Sequence, residues 1–299
     1  MIARQFLRQY AHAADVDEDV AAQEVVLTYV LQRIGELELW RRLAFKGGTS
    51  LRKTVFGNTG RFSRDIDLLA LDDDAPKPED ALLDGLGRES FYGLAFEVTD
   101  YRYSREGNFG ALIRYRHDYG EGTLDVQVSH RRDLVLPARA VELISQTYFP
   151  RLEFAPASVN NLHPMEMLAE KVLACARRLG GSGRDVYDLY QYAQRPIDFD
   201  ILRRVVCAKA WTDGVAFDPE EFLRGLGPRR FNWGELRGLL GRGQAVQQAA
   251  ACRTIQERYG PLGDITGLER RVLADATAHR DRRSYQELVE EARRLDEAR

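Results

Sequence analysis

Cysteine is scarce, with three in 299 residues at Cys175, Cys207 and Cys252. Odd in number, far apart and outside any paired metal-ligand spacing, they exclude a disulfide framework and a zinc ribbon. They fit a reducing compartment, as small buried apolar residues. Long hydrophobic runs are missing too. No stretch of about 18 consecutive apolar residues suggests a membrane span, and the N-terminal segment has no apolar run of signal-peptide length, so the expected location is the cytoplasm with no membrane partner. The five histidines, His12, His117, His130, His163 and His279, show no metal spacing. No Ser/His/Asp or Cys/His grouping is legible among them. Neither G-x-x-x-x-G-K-[ST] nor the protein-kinase motif set occurs, which argues against kinase-like chemistry. Repeats and low-complexity tracts are absent. What remains is an ordinary globular chain, 44% hydrophobic and 30% charged, with a length that favours two domains.

Lysine is scarce as well: Lys46, Lys53, Lys77, Lys171 and Lys209 are five of 43 basic residues. In a chain that elsewhere uses arginine, a retained lysine marks a place for a compact, flexible ammonium. The net charge of −3 is too near neutral to announce a nucleic-acid binder.

Residues 17 to 41 place Val20, Val25, Leu27, Val30, Leu31, Ile34 and Leu37 at helical spacing. Leu43-Ala44-Phe45, then Lys46-Gly47-Gly48-Thr49-Ser50, then residues 51 to 56 read as strand, tight turn and helix. After the loop GNTGRFSR, residues 65 to 71 read as a strand. Residues 72 to 90 give an acidic turn and a short helix; 91 to 100, 101 to 103, 111 to 117 and 123 to 129 read as strands. From Pro164 onward the period becomes helical, over 164 to 179, 184 to 194, 198 to 210, 245 to 259, 266 to 278 and 282 to 297. The fold class is therefore α+β: a mixed sheet with helices to about residue 150, then an all-helical domain over 151 to 299.

Asp65 and Asp67 stand at i and i+2 on a strand, so both carboxylates project from one face. Hard oxygen ligands in such a pair suit Mg²⁺, commonly held by one or two carboxylates together with substrate phosphates. Gly47 and Gly48, in a strand-to-helix turn upstream, let backbone amides approach a triphosphate. The ordered combination of strand, GG-[ST], helix and D-x-D strand points to nucleotidyl transfer. Lys46 could contact a phosphate, while Thr49 and Ser50 could donate hydroxyls there or cap the following helix. Ser63, two residues before Asp65, falls either on the same strand face, close enough to the triphosphate that its modification would block binding, or in the loop before the strand.

KGGTSL followed by RFSRDIDLL resembles the signature of AbiEii/AbiGii-type nucleotidyltransferase toxins in the DNA polymerase β superfamily. Glu166-Met167-Leu168-Ala169-Glu170-Lys171, Arg177, and Arg184-Asp185-Val186-Tyr187-Asp188-Leu189 resemble that family's second region, so the similarity spans residues 43 to 192. The resemblance implies a polymerase β-like nucleotidyltransferase domain whose helical domain completes the active-site cleft. It also implies a toxin opposed by a cognate antitoxin, which transfers NMP from an NTP to an RNA acceptor, the 3′ end of tRNA in some members. Mg²⁺ or Mn²⁺ would be the cofactor, and pyrophosphate the leaving group. By the same resemblance Asp65 and Asp67 hold metal, Asp125 is the third carboxylate that helps to activate the attacking hydroxyl, and Lys171 reaches the triphosphate. Asp185 is a further catalytic candidate or a helix N-terminal carboxylate; Arg184 and Asp188 share its polar face. Arg131-Arg132, Arg177-Arg178, Arg203-Arg204 and Arg229-Arg230-Phe231 could track an RNA backbone if they share a face. Transfer to a protein or small-molecule hydroxyl, or a catalytically idle nucleotide-binding regulator, are the alternatives.

Overall fold

The computed structural model describes residues 1–105, 107–130, 133–177 and 181–299. It divides into two compact units. The first comprises Met1–Arg132, Ala138–Leu162 and Gly238–Ala245; the second comprises Asp133–Pro137, His163–Arg237 and Val246–Arg299.

In the first unit, helices α1 (Arg4–Ala14) and α2 (Glu18–Glu36) precede β1 (Leu43–Lys46). α2 is apolar on nearly every side, so it lies inside rather than on the core, with Val25, Val26, Leu27, Tyr29, Val30 and Ile34 fully buried. The chain then turns through α3 (Gly47–Ser50) and a wider π turn (Leu51–Phe56) to β2 (Asp65–Ala70). α4 (Pro78–Gly87), β3 (Ala95–Tyr103), β4 (Phe109–His117), β5 (Gly120–Ser129), β6 (Arg139–Val141) and β7 (Val159–Asn161) follow. The sheet order is β3-β4-β5-β2-β1-β7-β6. β2 lies between an antiparallel β1 and a parallel β5. Ile66, Leu68 and Ala70 of β2 and Leu124, Val126 and Val128 of β5 pack into the core, which leaves the aspartates of both strands on the other face. The two strands expected over 91 to 100 and 101 to 103 are one strand, with a register shift between Val98 and Asp100. A bulge breaks the alternation without ending the pairing. β6 and β7 went unforeseen because three residues carry no readable period.

The second unit is helical: α5 (Pro164–Arg177), α6 (Gly183–Ala193), α7 (Phe199–Thr212), α8 (Pro219–Arg224), α9 (Gln248–Arg258), α10 (Gly267–Asp275) and α11 (Arg282–Glu297). Its strands are a two-residue parallel pair, β8 (Gly181–Ser182) with β9 (Phe231–Asn232). Side-chain caps set several helix starts. Asp198 accepts from the Ile201 amide, and Thr266 and Glu269 form a reciprocal capping box. All three cysteines are buried and free. Among the described residues no helix is long and apolar enough to cross a membrane.

A lysine is held by glutamate in each unit: Lys53, fully buried, in the first, and Lys209, largely buried, in the second. Lys53 Nζ lies 2.9 Å from each of Glu24 Oε1, the Glu24 carbonyl, Thr28 Oγ1 and Tyr148 OH, four acceptors for its three N–H groups, and Arg52 Nε lies 3.0 Å from Glu24 Oε1. Lys209 Nζ lies 2.7 Å from Glu166 Oε2 and 3.2 Å from Glu170 Oε1. Glu166 Oε1 also accepts the Val135 and Leu136 amides at 2.9 Å, so one buried carboxylate ties Asp133–Pro137 to α5.

Candidate active site

In the first unit the site is built around two glycines. Gly47 has φ +78°, and a Cβ there would lie 2.0 Å from Asp67 Oδ2 and 2.8 Å from Asp67 Cβ. Only glycine meets both demands, the left-handed backbone and the approach of the turn to the carboxylate. At Gly48 a Cβ would lie 2.5 Å from Arg61 Nη2 and 3.2 Å from Ser63 Oγ. The missing side chains thus bring a carboxylate against one glycine, and a guanidinium with a hydroxyl against the next.

Sheet register supplies the remaining order. Asp67 stands opposite Lys46 on β1, and Asp65 opposite Asp125 on β5. Partners in register share a face, so Asp65, Asp67 and Asp125 project to the side away from the core. Asp65 and Asp67 are half-buried, whereas Asp125 is exposed. Among the described residues no three His, Cys, Asp or Glu side chains gather closely enough to form a ready metal site, so these aspartates share a face without closing into a cage. The donor set still fits a hard divalent cation. Two carboxylates, with phosphate oxygens and water completing the shell, are the usual holding of Mg²⁺.

The hydroxyls of this turn are committed to protein contacts. Thr49 donates to the Asp65 carbonyl, and Ser50 donates to Asn161 Oδ1 at 2.6 Å. Both residues are fully buried, and Ser50 makes no side-chain capping bond for the π turn. They lock β2 and β7 to the turn. Of its two readings Ser63 takes the loop, before β2 begins at Asp65, and its hydroxyl reaches Gly48 from there. Arg61 is a residue that sequence reasoning passed over. It sits inside the quoted RFSRDID run, yet in an arginine-rich chain one more arginine carries no signal of its own. The structure buries it to 4% exposure with its guanidinium at Gly48.

In the second unit, Lys171 on α5 has Nζ 2.7 Å from Asp185 Oδ1 and 3.0 Å from Asp188 Oδ2, both on α6. The Asp188 side chain is 2% exposed. Arg184 Nε lies 3.3 Å from Glu235 Oε2, and the same carboxylate oxygen accepts the Ser182 hydroxyl. Cys175, one turn beyond Lys171, has its thiol pushed up by burial and then by Asp185, so it is inert as a nucleophile.

The arginines expected to track RNA are largely engaged within the protein. Arg203 is 7% exposed and pairs with Asp200 at 2.7 Å. Arg204 pairs with Glu291 at 3.0 Å and Arg177 with Asp213 at 2.6 Å, while Arg230 donates to the Ala176 carbonyl at 3.1 Å. Arg131, Arg132 and Arg178 lie outside the described residues.

Comparison with known proteins completes the picture. The family described as nucleotidyl transferase AbiEii toxin, type IV toxin–antitoxin system, matches residues 29–242. Among solved structures, MenT4, a nucleotidyltransferase toxin from Mycobacterium tuberculosis H37Rv, is similar with a TM-score of 0.83 and 28% identity, covering 98% of this chain and 100% of that one. JHP933 from Helicobacter pylori is similar at a TM-score of 0.49 and 14% identity, covering 83% of this chain and 94% of that one. No curated protein matches.

Proposed function

The chain belongs to the AbiEii family of nucleotidyltransferase toxins of type IV toxin–antitoxin systems, and from that premise we propose that it transfers a nucleoside monophosphate from an NTP to the 3′ end of tRNA, releasing pyrophosphate. The observation that carries the reading is the approach of Gly47 to Asp67, where a Cβ would lie 2.0 Å from Oδ2. That approach sets the strand-to-helix turn directly against a carboxylate pair suited to Mg²⁺ or Mn²⁺.

Asp65 and Asp67 would hold the cation, which when bound neutralises charge on the phosphoryl group and polarises it for in-line attack. The rest falls to the chain's own groups. Backbone at Gly47 and Gly48 admits the triphosphate closely, Lys46 adds charge at the rim, and Arg61 and Ser63 donate to phosphate oxygens from above Gly48. Asp125, in register with Asp65, accepts the proton of the attacking hydroxyl. Within the second unit taken by itself, Asp185 and Asp188 hold the Lys171 ammonium, and Lys171 and Arg184 are that unit's candidate phosphate-binding cations. A cognate antitoxin opposes the activity in the cell.

The test is incubation of the purified protein and Asp67→Ala with Mg²⁺, each α-³²P-labelled NTP in turn and total tRNA, resolved on a denaturing gel. Label on tRNA that is lost in the variant is the expected result. Label on protein or on a small acceptor would reassign the acceptor, and no label with any NTP would sink the reading.

A further inference from the structure

The segment Gly238–Ala245 belongs to the first unit, although the chain before and after it belongs to the second. It runs along the loop of residues 57–63, which carries Arg61 and Ser63. Gln244 Nε2 donates to the carbonyls of Asn58 at 2.6 Å and Gly60 at 3.0 Å. The Phe62 amide donates to the Leu239 carbonyl at 2.8 Å. The segment is itself anchored, with the Gly241 amide donating to Gln244 Oε1 at 2.7 Å and the Arg242 amide to the Ala14 carbonyl at 2.7 Å. Gln244 is 9% exposed and Leu239 8%.

Beside the loop, where Phe62 packs into the core with the Arg52 guanidinium 3.7 Å over its ring, a half-open cleft remains. A cavity of about 270 Å³ is lined by Arg52, Asn58, Phe62, Gly241 and Gln244 among others. On the side of the loop that faces this cleft, directional hydrogen bonds help to set its position, with the Arg52 guanidinium also donating to the Gly60 carbonyl. One side chain, Gln244, makes two of them and also receives the amide that fixes its own orientation. We propose that Gln244 is a positioning residue for nucleotide binding: by tying residues 57–63 to Gly238–Ala245 it holds Arg61 and Ser63 beside Gly48, where they meet the triphosphate. The proposal rests on the reading of that turn as the phosphate site.

The experiment is calorimetric titration of the full chain with inorganic triphosphate in Mg²⁺, a probe shared by all four NTPs, for wild type, Gln244→Glu and Arg242→Ala. Gln244→Glu keeps the length and the acceptor for the Gly241 amide but removes the donor. Arg242→Ala removes a side chain of the same segment that reaches the His12 carbonyl at 3.2 Å and makes no bond to the loop. Gln244→Glu, which removes both loop hydrogen bonds, is expected to weaken triphosphate binding roughly tenfold, with Arg242→Ala within about twofold of wild type. In turnover assays the loss should fall on KM for the NTP and leave kcat nearly unchanged. Equal affinity of Gln244→Glu and wild type overturns the proposal, as does equal weakening in both variants, which would report general loosening of the segment. A wild type that binds no triphosphate instead removes the phosphate-site reading beneath it.

Discussion

The two units solve the same problem with opposite charge ratios. Lys53 shares one carboxylate, Glu24, with a second cation, Arg52; Lys209 faces two carboxylates, Glu166 and Glu170. Burial depresses both ammonium groups, but the outcomes differ. At Lys53 one shared glutamate does not offset burial, and the pKa stays below that of ordinary lysine. At Lys209 the two glutamates outweigh burial and raise it. Glu24, pushed up by burial, is carried below the usual carboxylate range by Arg52 and Lys53 together. The ratio of charges therefore decides the sign, more than depth does. Each cluster also supports a candidate site element: Lys53 lies in the π turn that continues from Gly47–Ser50, and Glu170 precedes Lys171 on α5.

Removing the shared partner should have the largest effect. Glu24→Gln leaves Arg52 and Lys53 facing each other without a counter-ion and is expected to cost about 3–5 kcal/mol. Lys209→Met strands the buried Glu166, whose two backbone donors soften the loss to about 3 kcal/mol. Lys53→Met leaves the Arg52–Glu24 pair neutral and should cost only about 1–2 kcal/mol. Urea denaturation of the three variants ranks them, and Lys53→Met costing as much as Glu24→Gln would break the comparison.

A glycine pair separates support from site. Gly47→Ala forces a left-handed alanine, a strain of about 1–2 kcal/mol, and places its Cβ on Asp67. Nucleotidyl transfer should fall by about a hundredfold or more while most of the fold survives. Gly110→Ala, where a Cβ meets nothing within 4 Å, should change stability by less than about 0.5 kcal/mol and leave activity intact. Thermal unfolding and the tRNA-labelling assay, run on both, decide it.

The smallest effect is in pH. The stability from Glu24 is present above its unfolded value near 4.5 and is lost as pH falls through the lower folded one, so acid weakens the first unit. The stability from Lys209 is full below the unfolded lysine value of 10.5 and is lost as pH rises through the raised folded one, so alkali weakens the second. Lys53, with a lowered folded value, opposes this: stability in the first unit rises between that value and 10.5. Single-tryptophan variants keeping Trp40 in one unit or Trp233 in the other report each unit's urea midpoint across pH. Parallel profiles from the two probes would refute the difference.

Much of the candidate site was legible because its cues are local. The period of two placed Asp65 and Asp67 on one face, and a glycine pair between strand and helix marked the turn proposed to take the phosphates. The helices of the second unit were readable for the same reason, since amphipathic period and capping residues lie within a few turns of each other. Arg61 and Gln244 were not legible: Arg61 acquires meaning only against Gly48, and Gln244 only against carbonyls more than 180 residues earlier in the chain.

The sequence by itself determined the element types, the shared face of the D-x-D pair and the motifs that place the chain among AbiEii nucleotidyltransferases. Tertiary structure alone decided which strand stands beside Asp65, that Thr49 and Ser50 spend their hydroxyls on the scaffold, and that two of five scarce lysines are buried counter-ions rather than site residues. The physical reason is separation along the chain. Side-chain direction and capping follow from backbone geometry over a few residues, whereas ion clusters and loop tethers join segments such as Lys53 and Tyr148, 95 residues apart, that only folding brings within 2.9 Å.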